Sequence, residues 1–191
     1  AHTDDLPVFI IGNGLGATIA ARALYRNKIE CAGFIMVSPW LHLKLEPGKL
    51  SKALSSFSAI TSNVKLNHDI KYNTLTRNFE VYGEMKDETP FNTVVTVKWY
   101  RELQQLLKML KDPEVKIPTI PVLLMTGGRD KITDIVASKQ WLVQQNLKNF
   151  QYREWTDSLN SLFFELEREE VFLLTKDFMN NSLRSLGYII K

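Results

Sequence analysis

The chain has 191 residues, 45% of them hydrophobic and 24% charged, enough for one domain with a buried core. Its net charge of +3 is spread along the chain with no basic stripe interleaved with aromatics, which argues against a nucleic-acid partner. A single cysteine, Cys31, excludes an intrachain disulfide and favours an intracellular or organellar, reducing compartment; no stretch has the apolar length of a membrane span, and no signal peptide is visible.

Pro7-Val8-Phe9-Ile10-Ile11 is a continuous apolar run, the pattern of a parallel strand buried on both faces. A glycine loop follows, and small and apolar residues then recur at helical spacing over 15–25. Residues 33–37 predict a second buried strand, stopped by Ser38-Pro39, with Cys31 just before it as a buried structural thiol. From 40 to about 96 the pattern is irregular. Helices are expected over 50–60 and 78–85, and Asn63, Asn67, Asn73 and Asn78 mark turns. This stretch reads as an insertion between core elements. Over 97–110, Trp99, Leu103, Leu106, Leu107 and Leu110 recur at helical spacing, with Trp99 and Tyr100 anchoring the helix, until Lys111-Asp112-Pro113 ends it. Residues 121–125 predict a third buried strand, leading into Thr126-Gly127-Gly128-Arg129-Asp130. A helix over 135–145, an alternating edge strand over 150–155 and a last helix over 168–186 complete the chain. Strands alternating with helices give an α/β fold with a parallel sheet.

The loop Gly12-Asn13-Gly14-Leu15-Gly16-Ala17 fits two motifs. As G-x-G-x-x-A between strand and helix it is a dinucleotide turn, whose glycines bring backbone close to a pyrophosphate. The acid that should end the next strand and hold the ribose is absent, since 34–37 run into Ser38-Pro39. As G-x-S-x-G it is a nucleophile elbow with Gly14 in the serine position, and Gly12 and Gly16 let strand and helix approach closely.

Further blocks follow in an order that resembles one family, the monoglyceride lipase, lysophospholipase and serine-aminopeptidase-like branch of the α/β-hydrolases. LPVFIIGNGLGA resembles its strand and elbow, and FIMVSPWL its next strand and the entry to the cap. LTRNFEVYGEMKDETPFNTVVTVKWYREL is similar to the cap exit and returning helix. IPVLLMTGGRDKITD is similar to the strand and loop of the triad acid, and FFELEREEVF to the segment leading into the last helix. The resemblance implies the C-terminal portion of an α/β-hydrolase fold: a parallel sheet with flanking helices, a partial core at 1–39 and 97–191, and a cap or lid insertion at 40–96.

It also implies triad positions at Gly14, Asp130 and Asn160, with the backbone N–H of Leu15 as the remaining oxyanion donor. Gly14 has no hydroxyl. The histidines, His2, His42 and His68, all precede Asp130, whereas the fold's order places the base after the acid. In a serine hydrolase, loss of nucleophile or base costs on the order of 10⁶ in turnover. The expectation is therefore a catalytically inactive relative, not an enzyme, acting as a structural or interaction subunit. Asp130 is then a loop carboxylate that takes backbone N–H bonds or pairs with Arg129 or Lys131.

The alternative is a serine hydrolase acting on lipid esters, of monoglyceride lipase or lysophospholipase type, in altered or partial form. Two further readings are lipid or small-ligand binding without turnover, in a pocket lined by Trp40, Leu41 and Leu43, and dinucleotide binding at 12–17. No cofactor and no metal site are expected. His42 and His68 lack partners at ligand spacing. The run Glu165, Glu167, Glu169 and Glu170 reads as a solvated helix N-terminus, and the sequon Asn180-Asn181-Ser182 as a chance match. The family's sheet continues beyond the strand from Pro7 to Ile11. An apolar strand with an open edge invites pairing, so another polypeptide is expected to cover it: the missing N-terminal half, a second copy or a different subunit.

Overall fold

Four parallel strands form the centre of the protein. They are β1 (Phe9–Asn13), β2 (Gly33–Val37), β5 (Val122–Gly127) and β6 (Phe150–Trp155), in the spatial order β1-β2-β5-β6. The computed structural model describes residues 6–44, 63–68, 70–81, 83 and 94–189. Within these lie the helices α1 (Leu15–Tyr25), α2 (Tyr72–Leu75), α3 (Val97–Leu110), α4 (Ile135–Gln144) and α5 (Arg168–Ser185), and a 3₁₀ turn at Leu162–Phe164. Two short strands, β3 (Lys65–Asn67) and β4 (Val94–Thr96), pair antiparallel apart from the main sheet. The helix expected over 50–60 and the end of that expected over 78–85 lie outside the described residues; residues 79–81 are helical.

Alternate residues of the central strands feed two cores. Phe34, Met36, Val122 and Leu124 pack with Ala17, Ala21 and Leu24 of α1, Leu106 and Leu110 of α3, and Trp141 of α4. Ile35, Val37, Leu123 and Met125 point the other way and pack with Val171 and Phe178 of α5. Both faces of β2 and β5 are therefore covered, which is why both read as unbroken apolar runs.

β1 departs from this expectation. Among the described residues it lies at the edge of the sheet, and Ile11 and Val8 are 48% and 55% exposed. Its apolar run shows what the strand could bury, not what lies beside it. Cys31 is half-buried at the margin of the first core, and burial pushes its thiol pKa up. In α3 the buried residues are Val97, Leu103, Leu106, Leu107 and Leu110, while Trp99 and Tyr100 are only half-buried, so the leucines anchor it. No helix among the described residues is long and apolar enough to cross a membrane.

Candidate functional site

The turn between β1 and α1 is held by backbone. Gly14 has φ 53° and ψ −121°, a left-handed conformation that a side chain makes costly. Its N–H donates to the Val37 carbonyl at 2.8 Å, and its carbonyl accepts from the Trp40 N–H at 3.2 Å. The Thr18 hydroxyl lies 3.3 Å from the same carbonyl and 2.9 Å from that of Trp40. The end of β2 thus clamps the turn. No side chain caps the first turn of α1, which begins at Leu15. Gly12 is required as expected, because a Cβ there would run into the Ala17 backbone; Gly16 is not, since a Cβ there would meet open space.

Trp40 lies over this turn. A Cβ at position 14 would stand 3.1 Å from its indole Nε1. Leu41, expected in a pocket wall, is instead buried in the core, and Leu43 bridges to Thr133. Ser38, which the sequence marks only as a strand stop, has φ 43° and a buried hydroxyl with no hydrogen-bond partner among the described residues.

The loop after β5 is held by a side chain. Buried Asp130 accepts the N–H groups of Ile132 at 2.7 Å and Thr133 at 3.0 Å, and the Thr133 hydroxyl at 2.5 Å. The Asn160 amide donates to it at 2.8 Å, joining two residues 30 apart in the chain. Asp130 pairs with neither neighbour: Arg129 reaches Asp157, and Lys44 donates to the Asp130 backbone carbonyl. Gly127 brings the two loops together, since a Cβ there would collide with the Leu159 carbonyl. The sequence-predicted positions 130 and 160 are therefore in contact.

The acidic run is not uniformly solvated. Glu165 is fully buried, accepts the N–H groups of Arg77 and Leu159, and pairs with the Arg77 guanidinium at 3.1 Å. Glu167 pairs with Arg77 at 2.6 Å and accepts from Ser158. Arg77 lies 88 residues from Glu165, and no local pattern announces the pair. Only Glu169 and Glu170 occupy the first turn of α5 as expected. His42 contacts Asp134, which caps α4, and His68 accepts from the Ile70 N–H. No group of three metal-ligating side chains occurs among the described residues. Ser182 of the sequon is buried within α5.

The family described as "Serine aminopeptidase, S33" matches residues 1–167. Phospholipase YtpA of Bacillus subtilis (strain 168) is 30% identical over 180 residues, 93% of this chain and 70% of the relative. The monoacylglycerol lipase of Paleococcus ferrophilus superposes with a TM-score of 0.80 at 19% identity, covering 92% of this chain and 69% of that one. A soluble variant of monoglyceride lipase from Saccharomyces cerevisiae gives 0.81 at 16% identity, over 94% of this chain and 64% of that one. These matches correct the expectation of a non-enzyme. The family and the phospholipase relative support a hydrolase rather than an inactive subunit, and the two solved structures share its fold. They also favour the elbow over the dinucleotide motif.

Proposed function

Since the chain belongs to the serine aminopeptidase S33 family of α/β-hydrolases, we propose that it is a hydrolase of lipid carboxylic esters, of the monoglyceride lipase or lysophospholipase type, in a form altered at two side chains. In this reading Gly14 holds the nucleophile position, Asp130 the acid and Asn160 the base position. The Leu15 N–H is an oxyanion donor, and Trp40 and Leu43 stand at the entrance of the site. The contact between Asn160 and Asp130 carries the reading, because it is the contact that an acid makes to orient a base.

The test is the Gly14→Ser/Asn160→His variant, made also with Trp40→Leu to relieve the contact over position 14. Hydrolysis of a p-nitrophenyl ester and of a monoacylglycerol should rise on the order of 10²-fold over the unaltered chain, and Asp130→Asn in that background should remove the gain. A folded variant with no gain, and no labelling by a fluorophosphonate at position 14, overturns the assignment.

We also propose that further polypeptide pairs with the edge of β1, which has no neighbouring strand on that side among the described residues. Leu6, Val8 and Ile11, with Ile19 of α1, leave apolar surface exposed there, and apolar strand edges attract pairing partners. A chain that stays monomeric and soluble at high concentration, by light scattering, would speak against this.

A further inference from the structure

We propose that the cleft beside the Asp130 loop binds a phosphate group, as the headgroup of a lipid substrate. The cleft has a volume of about 730 Å³ and lies among α2, the turn after it, and the loops that follow β5 and β6. Three cations line it, Arg77, Arg129 and Lys131, with no carboxylate among its described lining residues. They differ in what they have left to offer. Arg77 is already satisfied by Glu165 and Glu167. Arg129 reaches Asp157 at 2.9 Å, but both side chains are more than half exposed, and such a pair is weak and easily exchanged. Lys131 has no ion-pair or hydrogen-bond partner among the described residues.

The two available cations stand on fixed backbone. The Arg129 N–H donates to the Ser158 carbonyl at 2.9 Å, and Asp130 between them is held by the N–H groups that follow it. A guanidinium grips two phosphate oxygens at once, and an ammonium adds a point charge. Leu159, next to Asn160, lies on the same wall, and Phe79, 84% exposed, supplies an apolar one. An anion here sits close to the acid and position 160, as the phosphate of a glycerophospholipid sits a few bonds from its ester. The groove on the other side of Phe79 includes Glu80 and Glu169 alongside Arg77 and Arg168, so the charge of its described lining is balanced and the anion preference belongs to the first cleft.

This rests on the lipid-hydrolase reading, and it is tested by binding rather than turnover. The full chain is titrated at low ionic strength with lysophosphatidylglycerol, with a monoacylglycerol of the same acyl chain, and with inorganic phosphate, followed by tryptophan fluorescence. The lysophospholipid should bind about tenfold more tightly than the neutral lipid, with the preference reduced to about twofold by Arg129→Gln/Lys131→Gln or by high salt. Lys148→Gln/Lys176→Gln, which removes the same charge elsewhere on the surface, should leave the preference intact. Equal affinity for the two lipids, or a preference unchanged by Arg129→Gln/Lys131→Gln, overturns the site. Inorganic phosphate that displaces the lysolipid at comparable concentration assigns the cleft to the free anion and overturns the headgroup assignment. Because turnover is not read, a failed gain of activity in the Gly14→Ser/Asn160→His variant removes the hydrolase reading without deciding this one.

Discussion

The turn after β1 and the loop after β5 both lie at the C-terminal ends of parallel strands, yet they keep their shapes by different means. Around Gly14 the geometry is written in backbone: a left-handed residue, a hydrogen bond to β2 and another from Trp40. Around Asp130 it is written in a carboxylate that gathers two N–H groups, a hydroxyl and an amide. The first arrangement needs no side chain at its centre, so it persists with glycine there. The second is built on its carboxylate. Replacing the central side chain should thus disturb the two loops unequally.

The difference is open to measurement. Asp130→Ala leaves several buried donors unpaired and should cost about 3 kcal/mol in urea denaturation; a cost below about 1 kcal/mol would show that the loop is held by something else. Gly14→Ala should cost less, about 1–2 kcal/mol, from its positive φ and the approach to Trp40. A double-mutant cycle with Trp40→Leu separates these, since only the contact is relieved; no coupling would mean that backbone strain is the whole effect. Glu167→Gln should have the smallest effect, about 1 kcal/mol at pH 7. Burial pushes the Glu167 pKa up, but the hydrogen bonds from Arg77 and Ser158 outweigh it and hold the carboxyl below its ordinary value. Such a group stabilises the fold fully above its ordinary pKa and loses that contribution as pH falls through the lower folded value. The difference between the two proteins should therefore close below about pH 4, and one that persists at pH 3 excludes the charge as its source.

What the sequence made legible follows the same division. β2 and β5 could be read because both faces of each are buried, which leaves an unbroken apolar run. β1 has the same run, but a run does not say how many neighbours a strand has. Positions 130 and 160 were legible through resemblance to a family and prove to touch. The Arg77–Glu165 pair was not, because 88 residues separate its members and a buried glutamate looks like any other in an acidic stretch. Gly12 and Gly16 look equivalent in the loop, yet only the first faces backbone. The position of Trp40 over Gly14 depends on packing across two strands, which no local spacing encodes.

Gly127 has one more consequence. The crossing of the two loops leaves no room for a carbon atom between them, so the 127–130 segment and the 156–160 segment act as one casting. Sequence drift can replace the groups they display, but it cannot easily insert bulk at the seam without parting them. A side chain introduced at 160 would find the Asp130 carboxylate already in place beside it, because the seam that sets their distance lies in backbone rather than in either group.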